Sequence, residues 1–366
     1  MTTCAKQWLE RIRALPLPDR VKIMNVCGGH ERSITLAGLR GALPPQIELI
    51  PGPGCPVCVC PEEDVFQAIQ LALHEAVILV AFGDMLRVPV NGPKRDPRSL
   101  VEASAAGAEV RPVASPTEAV KLAREHPSRK VVFFAAGFET TAAPVAAMLA
   151  QGVPENLHVL LSGRKTWPAV KMLLASEQPG FDCLIAPGHV ATVMGPGEWQ
   201  FVVEEHRMPA AVAGFTPESL LAATYSVLRQ LIEQRPFLDN CYPEVVRDGG
   251  NPAAQRQLDQ VFEVYDANWR GIGTIPASGY ALRPALAAHD AHRTFPSYET
   301  TARKRAGEMP PGCDCARVVL GKIYPNECLL FGRACTPRNP IGPCMVSDEG
   351  ACRIWWSSGI REPKVA

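Results

Sequence analysis

The chain has 366 residues, of which 47% are hydrophobic, which is enough for two or three domains with cores of their own. Lys plus Arg and Asp plus Glu each number 37, so the formal net charge is zero and no basic surplus points to nucleic acid or an anionic membrane. The longest apolar runs, AVILVAF (residues 76–82) and VVFFAAGF (131–138), fall far short of the roughly 20 residues a membrane-spanning helix needs. The opening MTTCAKQWLERIRALPLPDR has no apolar signal core, so a soluble, cytoplasmic protein is expected.

In chain order, an amphipathic helix is expected at residues 5–15. From there short apolar runs alternate with helix-like segments, the rhythm of parallel α/β structure. Strands are expected at 21–26, 47–50, 76–82, 108–113, 131–136, 158–161, 183–186 and 210–213. Helices are expected at 62–75, 116–126, 140–150, 166–176 and 217–234, several of them opening on Thr, Ser or Pro. This predicts two parallel-sheet α/β units, residues 1–115 and 116–235, joined near Ala114-Ser115-Pro116. Beyond residue 236 the rhythm breaks. One helix at 251–265 and then irregular, glycine-rich sequence make a third domain, 236–366, that ends in a knot of cysteines.

The loops that follow the strands carry the unusual residues: CGGHE (27–31), GPGCPVC (52–58), GFETT (137–141) and PGHV (187–190). Ligands of open parallel sheets bind at the carboxyl ends of the strands, so these motifs are expected to crowd sheet edges. A thiolate at Cys27 would be favoured by the amides of Gly28 and Gly29 and by a following helix N-terminus, with His30 placed to tune it. A buried cysteine beside a backbone-satisfied histidine explains the same residues equally well. Cys55 and Cys58 have the C-x2-C spacing of a disulfide, a zinc knuckle or a thiol-exchange pair, and Cys60 adds a third thiol. GFETT reads as a turn at a helix N-terminus, with Thr140 or Thr141 as the cap and amides free for an anion, and Glu139 of that turn and His189 could face the same cleft. A capped helix with no ligand is the commoner outcome for such a turn. No P-loop motif is present.

Six of the 13 cysteines fall between residues 313 and 352: Cys313, Cys315, Cys328, Cys335, Cys344 and Cys352. Disulfide-dense scaffolds belong to small secreted domains, which this chain does not resemble. Zinc sites announce themselves as paired C-x2-C knuckles, and this stretch has none. Iron–sulfur clusters tolerate scattered, loop-borne thiolates, so spacing favours them modestly over zinc.

The spacing Cys313-x14-Cys328-x6-Cys335-x16-Cys352 resembles the cluster motif of the HypD family of hydrogenase maturation factors, and CGGHE, GPGCPVC, GFETT and PGHV resemble that family's other signatures in the same order. The resemblance implies an assembly scaffold for the [NiFe] hydrogenase iron centre. On it, Cys27 would hold a transient Fe(II) while cyanide and carbon monoxide are added. It further implies a [4Fe-4S] cluster on Cys313, Cys328, Cys335 and Cys352, with Cys315/Cys344 and then Cys55/Cys58 carrying electrons towards the iron. A small HypC-like protein and a HypE-like cyanide donor are the implied partners. The chain departs from the family where Arg32 follows CGGHE in place of a second histidine. A freestanding iron–sulfur thiol-disulfide oxidoreductase would explain the cluster and the C-x2-C without the other motifs, and a zinc-stabilised binding protein is the third reading.

Overall fold

The computed structural model describes residues 2–93, 95–176, 178–298 and 309–361. Eleven strands are described: β1 (Val21–Asn25), β2 (Ile47–Pro51), β3 (Val77–Phe82), β4 (Val110–Val113), β5 (Lys130–Gly137), β6 (Leu157–Arg164), β7 (Cys183–Pro187), β8 (Ala210–Ala213), β9 (Leu238–Cys241), β10 (Phe262–Trp269) and β11 (Gly273–Leu282). The helices are α1 (Thr3–Arg13), α2 (Gly28–Leu36), α3 (Leu39–Ala42), α4 (Pro56–Val59), α5 (Glu62–His74), α6 (Leu100–Ala105), α7 (Pro116–Glu125) and α8 (Glu139–Ala150). They continue with α9 (Thr166–Leu174), α10 (Gly188–Met194), α11 (Gln200–Glu204), α12 (Pro217–Ile232), α13 (Pro252–Val261), α14 (Ala291–Thr294), α15 (Cys315–Val319) and α16 (Ala351–Ser357).

Two sheets form. One is all-parallel, in the order β2-β1-β7-β8-β9, and the other is mixed, in the order β10-β11-β6-β5-β3-β4. The α/β class and the two sheets agree with the sequence reading, but the second sheet is not parallel throughout. Its edge is an antiparallel hairpin, β10 against β11, joined to β6 through Gly279 opposite Arg164 and Tyr280 opposite Gly163. Sheet membership also crosses the expected boundary near residue 115. β1 and β2 pair with β7, β8 and β9, whereas β3 and β4 pair with β5 and β6.

The long apolar runs are strands buried on both faces. On β5, Val132 and Phe134 enter one core while Val131 and Phe133 enter the other, which is why the sequence shows no polar alternation there. Full burial of each phenylalanine contributes roughly 1.5–3 kcal/mol. The helix expected at 251–265 starts as read, Asn251 Oδ1 accepting from the amides of Ala253 and Ala254. It ends at Val261, because Phe262 turns extended and buries its ring against Tyr280 of the neighbouring strand. The stretch read as irregular after it is therefore the edge hairpin. The C-terminal cysteine-rich region is irregular, as expected, with only the short α15, α16 and single turns. Cys315, Cys328, Cys335, Cys344 and Cys352 are buried in the same core as Leu79 of β3 and Phe134 of β5, and Cys313 packs against it. Among the described residues no helix is long and apolar enough to cross a membrane.

Candidate functional site

The parallel sheet brings two of the motifs side by side. β1 and β2 are neighbours in register, Asn25 opposite Pro51, so the loops leaving them place Cys27 next to the GPGCPVC turn. Cys27 sits immediately before α2, and the backbone amides of Gly29 and His30 reach its sulfur. The expected thiolate does not follow. Desolvation pushes the thiol up to about 12, with Glu349 adding to the effect, and outweighs both amides. Cys27 is thus a protonated thiol, to be deprotonated by whatever binds it.

Cys55 and Cys58 form a disulfide across the first turn of α4, and the Cys55 sulfur accepts from the Cys58 amide at 3.2 Å. Cys60 takes no part in it. Its buried sulfur lies 3.3 Å from Ser162 Oγ, which donates to Asp64 at 2.6 Å, and burial pushes this thiol up to about 12.

One narrow cleft is lined by Cys27, Cys55, Cys58 and Cys344 together with Asn25, Glu31 and Glu349. Its volume of about 10 Å³ is the room of one water-sized group. Cys344 comes from the C-terminal knot, so the cleft is where the three groups of thiols meet.

Within the knot, Cys313 is half-buried and Cys315, Cys328, Cys335, Cys344 and Cys352 are buried. Cys315 is the hub. Its sulfur is 3.4 Å from that of Cys313 and it hydrogen-bonds Cys344, which also bonds Cys352. Hydrogen bonds from Cys315 and Cys352 hold the Cys344 thiol well below its ordinary value. Burial raises Cys335 to about 11 against the amides of Gly342 and Ile341. Cys315 and Cys344 are both free thiols here. Among the described residues no three Cys, His, Asp or Glu side chains are grouped to ligate a single metal ion. The residues fit a cluster instead: the donors are soft sulfurs, the Ile341 amide points at the Cys335 sulfur at 3.4 Å, and Gly342 leaves room that a side chain would fill. A Cβ at Gly342 would lie 2.5 Å from the sulfurs of both Cys313 and Cys315.

The other sequence candidates lie away from this cleft. The His30 ring turns towards β8, its Nε2 3.0 Å from the Ala213 carbonyl, and burial lowers it to about 4, so it is neutral. His189 is exposed and stacks on Phe215 at 3.8 Å, and Phe215 also packs on His30 at 4.9 Å. Neither threonine of GFETT caps α8: Phe138 holds the cap position, Thr140 is exposed, and Thr141 lies in the first turn. Glu139 is fully buried and accepts from the Thr166 amide and hydroxyl, both at 2.7 Å, tying α8 to α9. None of Glu139, Thr140, Thr141 and His189 lines the thiol cleft.

The family profile described as "HypD: Hydrogenase formation hypA family" matches residues 3–359. A protein named hydrogenase maturation factor HypD from Rhodobacter capsulatus is 41% identical over 93% of this chain and 89% of its own length. Its namesake from Azotobacter vinelandii is 40% identical over 99% and 96%, and that from Escherichia coli 40% over 92% and 88%. The chain belongs to the HypD family.

Several residues of this HypD-family chain that shape the cleft were not singled out by their local sequence. Asn25 and Glu349 line it, and Ser347, three residues after Cys344, donates to Asp84 at 2.7 Å, joining the knot to the loop after β3. Glu349 and Asp84 come from distant parts of the chain, and no spacing rule links them. Asn25 had a signal, a polar residue among the apolar Ile23, Met24 and Val26 just before a motif.

Proposed function

We propose that this chain acts in [NiFe] hydrogenase maturation as a scaffold that holds iron while cyanide and carbon monoxide are added to it. The observation that carries the reading is the single cleft lined by Cys27, the Cys55–Cys58 disulfide and Cys344. Cys27 is a free thiol of that cleft, and it would ligate the incoming Fe(II) as a thiolate, releasing its proton. A HypC-like partner would contribute a second thiol, and a HypE-like protein the cyanide.

Cys313, Cys328, Cys335 and Cys352 would hold a [4Fe-4S] cluster, which when bound supplies single electrons. The chain's own thiols do the rest. Cys344 attacks the Cys55–Cys58 disulfide, and Cys315, its hydrogen-bonded neighbour, resolves the mixed disulfide. The exchange leaves Cys55 and Cys58 as thiols and Cys315–Cys344 as the disulfide, which two electrons and two protons return to thiols. Cys60 stays outside this sequence, engaged with Ser162.

The division of labour is testable by two substitutions. Cys328→Ala removes the visible absorbance of the cluster. Cys27→Ala leaves that absorbance intact and abolishes loading of ligand-bearing iron. Equal loss of the cluster in both variants contradicts the assignment.

A further inference from the structure

We infer that Glu31 is a positioning residue for Cys27, through which helix α16 fixes the wall of the thiol cleft. Glu31 stands one turn beyond Cys27 on α2, is 1% exposed, and lines the cleft itself. Its carboxylate gathers three elements. Arg40 Nη2 of α3 donates to both oxygens at 2.8 and 2.7 Å, Asn25 Nδ2 at the end of β1 donates at 3.1 Å, and Trp355 Nε1 of α16 donates at 2.6 Å. The Arg40 guanidinium also lies 5.1 Å over the Trp355 ring, closing the group on itself.

Asn25 is held in turn. Its second amide hydrogen goes to the Ile50 carbonyl at 3.0 Å, so Glu31 secures the strand end two residues before Cys27 as well as the helix after it. The close approach of α2 to the C-terminal segment demands glycine: a Cβ on Gly28 would sit 2.4 Å from the Glu349 carbonyl oxygen. Such a seam tolerates little movement. A buried carboxylate with every donor in place is rigid, and loss of one donor leaves charge unmatched rather than merely loosening a contact.

The consequence rests on the function proposed above, with Cys352 as a cluster ligand. Cys352 and Trp355 share α16 one turn apart. Whatever Cys352 binds is therefore tied through the Trp355 N–H to Glu31, and by it to the helix and strand that present Cys27. The cluster then has a structural role at the iron-holding thiol apart from electron supply.

The test is the rate at which iodoacetamide alkylates Cys27 in the full chain, read by mass spectrometry before and after cluster removal. Trp355→Phe keeps the ring and deletes the N–H. We expect the variant to retain the cluster absorbance yet alkylate Cys27 about tenfold faster than wild type, the scale of one hydrogen bond to a charged group. Removing the cluster accelerates wild type by a similar factor and adds little in the variant. Buried Cys60 and Cys183 serve as internal controls, since general loosening exposes them too. Glu31→Gln, which sets an amide N–H against one of these donors, shifts Cys27 in the same direction. Unchanged Cys27 reactivity in Trp355→Phe, or equal acceleration at Cys60 and Cys183, overturns the inference. A wild-type chain that never binds a cluster sinks the iron–sulfur reading and the cluster's part of this inference, and the Glu31 seam is then tested by whether Trp355→Phe still alkylates Cys27 faster than wild type as isolated.

Discussion

Glu198 shows how burial, more than partner charge, sets the behaviour of single residues in this chain. Its Oε2 is buried without a partner, and desolvation, helped by nearby Glu139 and opposed by Lys165, pushes the carboxyl up to about 8. In the unfolded chain it ionises at its ordinary value of 4.5. Between those two values the unfolded state therefore releases a proton that the folded state keeps, and stability falls as pH rises. Glu198→Gln removes this contribution, so the drop in urea midpoint between pH 5 and pH 8 is smaller than in wild type. An equal drop in both proteins would mean that the folded state does not hold the proton. The same dominance of burial explains why the amides beside Cys27 do not yield a resting thiolate, an outcome that the motif alone could not reveal.

At the scale of elements, local pattern served where an element's packing is local. α5, α7, α8, α9 and α12 fall within a few residues of their expected limits, because amphipathic spacing and Pro, Thr or Ser at the start belong to the helix itself. β9, with the sequence LDNC, is short and half-buried at a sheet edge, and nothing in its composition marks a strand. β10 follows α13 without a break, and its exposed residues Glu263 to Asp266 hide the alternation expected of a half-buried strand. GFETT was legible as a strand-to-helix turn but not as a tether. Glu139 reaches across to Thr166, 27 positions away, and that contact has no sequence signature. Its strength is measurable. Thr166→Val removes the hydroxyl donor from a buried carboxyl whose ionisation burial opposes, and should lower unfolding stability by about 1–3 kcal/mol in urea titrations. A loss below about 0.5 kcal/mol, the level of an ordinary surface change, would show that the tether matters little.

Across the whole molecule, the chain passes from the parallel sheet to the mixed sheet and back before adding the edge hairpin. That order brings together thiols separated by about 300 positions, Cys27 and Cys344, in one cleft. The five motifs were legible as chemistry because each keeps its unusual residues within a few positions. Which of them face one another was not, because strand pairing across the chain is set by packing and not by local composition. The outcome separates GFETT and PGHV from the cleft and adds Asn25, Glu31 and Glu349 to it.

The central claim, that Cys27 holds iron while diatomic ligands are added, is tested most directly by infrared spectroscopy. The protein would be purified anaerobically from cells making hydrogenase, alone and with the proposed HypC-like partner, and its iron quantified alongside. The account predicts cyanide and carbonyl stretching bands in wild type, with more iron than one [4Fe-4S] cluster holds, and their disappearance in Cys27→Ala. Bands that persist in Cys27→Ala would contradict it. Wild-type protein with cluster iron alone and no such bands would contradict it equally, and would leave thiol-disulfide exchange as the activity of the cleft.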